Sequence, residues 1–184
     1  MQENLEAAAK TGDLEALRDL LTRGVDPNAV NATQWAALHH AAQKGHGPCV
    51  AELLGSGAEI NAVDRVGRTA LMLAAPFNEG VVSQLLEAGA DHTLRTRVGD
   101  TALHWAAVQG HAPSVVNLLA GGALVDAKND DGRTALMGAA LRGHAEATEA
   151  LLAAGADRSV TDQLGRTALD IARSLGTPAV PLLE

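Results

Sequence analysis

"TALHWAAVQGHAPSVVNLLAGGA", residues 101–123, reads as two short helices around a glycine–histidine joint. Thr101 suits an N-cap, because its hydroxyl can accept from the free amides of a first helical turn. The A-L-x-x-A-A pattern that follows is one apolar face of a short helix. Gly110 then suits a left-handed cap that ends it. Pro113 falls in the opening turn of a second helix, where a missing N–H costs nothing. Val115, Val116, Leu118 and Leu119 make that helix's apolar stripe, and Gly122 stops it. Such a pair cannot bury its own apolar face, so it must stack on copies of itself.

The copies are present. Thr69, Thr101, Thr134 and Thr167 each open a T-A-L, at intervals of 32, 33 and 33 residues, and Ala36 stands 33 residues before Thr69. Gly-His returns as Gly45-His46, Gly110-His111 and Gly143-His144. Leu-Leu followed by Gly-Ala closes each copy: Leu53-Leu54 with Gly57-Ala58, Leu85-Leu86 with Gly89-Ala90, Leu118-Leu119 with Gly122-Ala123, and Leu151-Leu152 with Gly155-Ala156. Ahead of the T-A-L, Asp64-Arg-Val-Gly67 and Asp131-Gly132 read as tight turns with positive φ at the glycine. A fixed period near 33 residues is the mark of a solenoid.

The phrase resembles the ankyrin repeat, which runs D-x-x-G-x-T-P-L-H-x-A-A-x-x-G-H. The proline of T-P-L-H is alanine in each copy (Ala37, Ala70, Ala102, Ala135, Ala168), and its histidine survives as His39 and His104 only. The resemblance implies an all-α fold with short hairpin loops, an ankyrin-repeat solenoid of stacked helix-turn-helix repeats. It divides the chain into six repeats forming one domain over 1–184: 1–30, 31–63, 64–95, 96–128, 129–161 and 162–184. The first and last act as caps, and Pro181 limits order in the short last helix.

Composition narrows the function. The chain has 184 residues, is 47% hydrophobic but 2% aromatic, and carries a net charge of −8. An acidic balance argues against nucleic acid or an anionic membrane as the main partner. The single cysteine, Cys49, excludes an internal disulfide and fits a reducing compartment. The N-terminus shows no basic stretch followed by an apolar run, so no signal peptide is expected. No segment approaches the about 20 apolar residues of a membrane helix. Together these point to a cytoplasmic or nuclear setting.

A catalytic reading needs residues the repeat leaves unexplained. His39, His46, His104, His111 and His144 occupy repeat positions, and the resemblance gives them structural hydrogen bonds. His40 follows His39 on a helix, so the two diverge and make a poor metal pair. No Cys or H-x-x-x-H spacing suggests zinc. Gly45-His-Gly47 and Gly55-Ser-Gly57 follow helices, not strands, so neither is a phosphate loop. Cys49 reads as a packing residue, and no serine sits in a nucleophile elbow. No enzyme, cofactor or metal is expected.

What the resemblance implies is a module that binds a partner protein through its concave side, the hairpin tips and the exposed face of each first helix. Carried over repeat by repeat, the partner-contacting positions include Trp35, Lys44, Arg65, Arg68, Phe77, Arg97, Asp100, Gln109, Arg133 and Arg142. Trp35 has no obvious core to fill, and tryptophan and arginine are favoured interface anchors. Its alternative is packing onto the N-terminal cap, and Gln34 in place of the turn glycine predicts an irregular hairpin there. Arg65, Arg68, Arg95 and Arg97 are a basic cluster suited to an acidic segment of a partner, or simply a solvated face beside Asp64 and Asp100. Trp105 is expected to pack between repeats. A monomer is expected. The alternatives are a scaffold or host-interference (effector-like) protein, natural or engineered, and, less favoured, a metal-dependent enzyme.

One stretch departs from the period. "LAAPFNEGVVSQLL", 73–86, is one residue short, lacks Gly-His and holds the only Phe. Pro76 forbids a normal helix continuation there. Asn78 is expected to replace the missing cap of the second helix, with Phe77 exposed.

Overall fold

A computed structural model of the protein describes residues 4–184. Among them are α-helices in consecutive pairs: α1 (Leu5–Thr11) with α2 (Leu14–Thr22), α3 (Ala37–Lys44) with α4 (Gly47–Gly55), and α5 (Ala70–Ala74) with α6 (Glu79–Glu87). The series continues with α7 (Ala102–Val108) and α8 (Ala112–Ala120), α9 (Ala135–Arg142) and α10 (Ala145–Ala153), α11 (Ala168–Leu175) and α12 (Val180–Leu183). The only β element described is an isolated antiparallel bridge, Val30 to Ala36. No helix is long and apolar enough to cross a membrane among the described residues.

The chain falls into two compact units. Among the described residues, one comprises 4–74 and 78–91, the other 75–77 and 92–184. In the first unit, α1 packs on α3 and α3 on α5, while α2, α4 and α6 form the parallel row behind them. In the second, α7, α9 and α11 form one row and α8, α10 and α12 the other. Leucines from both rows fill the cores: Leu38, Leu71, Leu17, Leu53 and Leu85 in the first unit, and Leu103, Leu136, Leu118 and Leu151 in the second, all nearly inaccessible. Between them sit paired alanines such as Ala41-Ala42 and Ala139-Ala140, whose small side chains let helix axes approach. Gly138 marks one close approach: a Cβ there would meet Val108 Cγ2 at 2.7 Å.

Most helix ends follow the sequence, but the Thr101 hydroxyl meets His104 Nδ1 at 2.9 Å and caps no amide of α7. Thr69, Thr134 and Thr167 accept from the amides of Met72, Met137 and Asp170. Where Ala36 replaces threonine, its N–H donates to His39 Nδ1 at 3.1 Å, closing the turn another way. Pro48 and Pro113 occupy first turns, as expected.

The joint glycines do two things. Gly12, Gly45, Gly110 and Gly143 all lie at φ between 72° and 76°, a region that L side chains occupy only at a cost of about 1–2 kcal/mol. Each is also where the next repeat reaches back. A Cβ on Gly12 would strike the His46 ring, one on Gly110 the His144 ring, and one on Gly143 Pro178. The reaching side chains bond the carbonyls at the end of the preceding first helix. His46 Nε2 donates to Lys10 O at 3.3 Å and His144 Nε2 to Val108 O at 3.1 Å. Thr177 Oγ1 donates to Ala140 O at 2.9 Å.

The irregular stretch uses the same device with a different residue. Helix α5 stops at Ala74 after five residues, and Pro76 is buried beyond it. Asn78 holds the N-cap position of α6, but its side chain does not cap that helix. Its amide instead donates to Gln43 O at 3.1 Å and approaches Ala42 O, the part that histidine plays in His46 and His144. The capping role expected of its side chain is therefore replaced by a backward staple. A Cβ on Gly45 would collide with Asn78 Oδ1.

Candidate functional site

The hairpins ahead of each first helix are built by their leading residue. Asp64 Oδ1 accepts from the amides of Val66 and Arg68 at 2.9 and 2.8 Å. Asn31, Asn129 and Asp162 do the same for the residues two and four further on. Adjacent tips are joined by single backbone bonds: Arg65 N–H to Thr33 O in the first unit, and Asp130 to Val98 and Gln163 to Asp131 in the second. The Asn31 hairpin is as regular as the others, with Asn31 N–H donating to Trp35 O and Gln34 N–H to Asn31 O. The irregularity expected from Gln34 is absent. Gln34 instead adopts φ 61°, the left-handed conformation that glycine takes in the other turns.

Trp35 is half-buried and fully engaged. Its Nε1 donates to Asp64 Oδ2 at 3.0 Å. Its ring lies 4.8 Å from that of His40, and the Arg68 guanidinium sits 5.3 Å from its centroid. Arg68 also bonds Asp64 Oδ2 through Nε and forms an ion pair with it at 2.7 Å. Burial pushes the Asp64 carboxyl up, but the bonds from Arg68 and Val66 and the Arg68 charge outweigh it and hold the group below the usual carboxylate range. Trp35 and Arg68 are therefore bound up in holding two hairpins together.

In the second unit the equivalent contact runs the other way. Asn129 Nδ2 donates to Asp100 Oδ1 at 2.8 Å. Arg95 bonds Gly99 O, Lys128 O and Asp130 Oδ1. Arg133 pairs with Asp131 at 3.7 Å. The arginines read from sequence as one cluster thus divide: Arg68 and Arg95 serve the hairpins, while Arg65 and Arg97 remain exposed. Lys44, Gln109 and Arg142 are exposed too, and none of these five side chains makes a hydrogen bond or ion pair among the described residues. Phe77 is 60% exposed. Trp105 is half-buried.

The histidines are frame elements. His39 and His104 accept at Nδ1 from the N–H of Ala36 and Thr101. They donate from Nε2 to Ala62 O and Arg133 O at 3.1 and 3.0 Å. Only the neutral ring can do both, and burial holds each imidazole below its ordinary value. His40 points elsewhere, toward Glu6 Oε1 at 3.2 Å. Cys49 is buried, and burial, then Asp13 and Glu52, push its thiol up, away from the reactive thiolate. Among the described residues no group of three His, Cys, Asp or Glu side chains is placed to hold a metal ion.

Sequence reasoning missed Lys10, exposed in the last turn of α1, because the first repeat has no hairpin from which to count positions. It also missed that Asp64 is the hub of the first unit's hairpins. The signal was present: an Asp with Arg four residues on recurs as Asp162 and Arg166, which pair at 2.7 Å.

Pairs of short helices, joined through left-handed glycines at all but the α5–α6 joint and preceded by hairpins from the second pair on, define a helical-repeat protein. Residues 5–96 and 103–183 match the ankyrin repeats, and the chain belongs to the ankyrin repeat family. Ankyrin repeats are generally protein–protein interaction modules. The chain is similar to a probable E3 ubiquitin-protein ligase, XBOS32, of Oryza sativa subsp. japonica, with 34% identity across 64% of this chain and 25% of the ligase. It is 36% identical to mouse ankyrin repeat domain-containing protein 40 across 40% of this chain and 21% of that protein. It is 33% identical to a putative palmitoyltransferase, ZDHHC13, of Danio rerio across 68% of this chain and 20% of the transferase. The chain thus spans a quarter or less of the length of these relatives.

Proposed function

We propose that the chain is a non-catalytic module that binds a partner protein through its hairpins and first helices. We read it as six repeats with the bounds given above, the end repeats acting as caps. The observation that carries this reading is a division of labour at the variable positions. Trp35, Arg68, Asp100 and Arg133 bond within or between hairpins. Lys44, Arg65, Phe77, Arg97, Gln109 and Arg142 are exposed and do nothing for the frame. Side chains with no structural task, at the positions that ankyrin repeats vary, are the ones available for recognition.

The test is affinity purification from an extract of the source cell with the wild type and with a Lys44→Glu/Phe77→Ala/Arg97→Glu variant. These positions are exposed, so the variant should unfold at the wild-type midpoint and lose its partners. Identical partner sets would remove the named surface.

A further inference from the structure

The first unit gathers three exposed cations, Lys10, Lys44 and Arg65, on its hairpins and first helices. Lys10 and Lys44 end α1 and α3, which pack against each other, and both side chains are exposed. Burial is the main cause that lowers the His40 imidazole; Glu6 favours its protonation, and Lys10 and Lys44 oppose it. Because α1 packs on α3, the two ammonium groups stand on the last turns of neighbouring helices. Arg65 extends from the neighbouring hairpin tip, tied to Thr33 O by its backbone, with its guanidinium exposed. Asp64 on this side is paired with Arg68 and the Trp35 N–H, and Glu6, bonded to His40, is outnumbered by the three cations. In the same unit the second helices carry Glu15, Glu79 and Glu87, and their two arginines, Arg18 and Arg23, are paired with Glu52 and Asp19. The unit is polarised, positive on one row of helices and negative on the other, within a chain of net charge −8.

Resting on the protein-binding reading above, we propose that Lys10, Lys44 and Arg65 form a lane on the first unit that recognises an extended acidic segment of the partner. Complementary charge steers such a segment and sets its register. The three cations belong to three successive repeats, so they suit carboxylates distributed along a strand, not one compact anion. Single-stranded nucleic acid uses open aromatic faces as stacking platforms. Trp35, the aromatic side chain here, is already engaged by Arg68 and His40, which favours a peptide.

The experiment is a fluorescence-anisotropy titration of the full chain with a labelled peptide of alternating glutamate and serine. A lysine–serine peptide and a single-stranded oligothymidine serve as comparators. The acidic peptide is expected to bind, more weakly as salt rises. Lys10→Glu/Lys44→Glu should weaken it roughly tenfold, while Arg158→Glu, distant in sequence and exposed, should not. If the reversal disturbs folding by circular dichroism, Lys10→Gln/Lys44→Gln reads the same contrast with a smaller loss. Equal binding by wild type and variant, preference for the lysine peptide, or tighter binding of the oligothymidine overturns the lane. Peptide display on the wild type separates this from the broader reading. Enriched peptides that lack acidic residues and survive the double substitution remove the lane alone. A selection that enriches nothing removes both.

Discussion

The two units solve the same hairpin problem with opposite chemistry. In the first, Trp35, the residue ahead of the Ala36 cap, donates to the leading carboxylate of the next hairpin, Asp64. In the second, the equivalent residue, Asp100, accepts from the leading amide of the next hairpin, Asn129. In both pairs a bond joins these two positions, whichever partner supplies the proton. A residue that looks variable from repeat to repeat is therefore not automatically free for a partner. The first unit's version is also the more heavily buried: Asp64 is 4% exposed and gathers bonds from three residues, whereas Asp100 is half-buried.

That difference predicts the largest effect. Asp64→Ala leaves the Arg68 charge and the Trp35 N–H without their partner and is expected to cost about 3–5 kcal/mol. Asp100→Ala removes one bond at a wetter site and should cost about 1 kcal/mol. Urea unfolding followed by circular dichroism measures both. Equal losses would mean that the two hairpin pairs are energetically interchangeable.

Next come the staples. Gly110→Ala combines a left-handed backbone with a clash against the His144 ring, and about 2–4 kcal/mol is expected. Gly155, at φ 85°, has open space where a Cβ would stand, with nothing within 4 Å of it, so Gly155→Ala should cost only the backbone strain, about 1 kcal/mol. If the two midpoints shift alike, the backward-reaching histidine contributes no steric requirement.

Acid should weaken both units through their buried imidazoles. His39 and His40 in the first and His104 in the second have their pKa lowered by burial. The unfolded chain therefore binds protons more tightly, and stability, complete above about pH 6.5, is lost as pH falls below it. Each tenfold loss of proton affinity is worth about 1.4 kcal/mol. Unfolding midpoints at successive pH values for wild type and His104→Leu should show a shallower acid slope in the variant. An unchanged slope would assign the acid sensitivity to the first unit.

The smallest effects concern single exposed positions. Gln34→Gly relieves a left-handed non-glycine and should stabilise by about 0.5–1 kcal/mol, less if the entropy of glycine offsets it. Phe77→Ala should change stability by less than about 0.5 kcal/mol, given its exposure, while weakening partner capture. A large stability loss would show the ring to be a packing element of the joint.

The frame was legible from the chain alone because it is written in backbone requirements that recur. Glycines at positive φ, threonine caps, prolines in first turns and leucine pairs each answer a local constraint, and five or six copies of one answer leave little ambiguity. Even the gap at 73–86 was readable: Pro76 had to end α5, and Asn78 had to begin α6. What Asn78 does there was not readable, since its bond goes to Gln43, 35 residues away. The same holds for the candidate site. Charge and position placed Trp35 and Arg68 among the binding residues, but only the neighbouring hairpin's Asp64, arriving through the fold, shows that they are taken. Local sequence determined which residues turn, cap and pack; the tertiary structure decided which side chains remain unpaired, because a hydrogen bond between repeats depends on distances that no local pattern encodes.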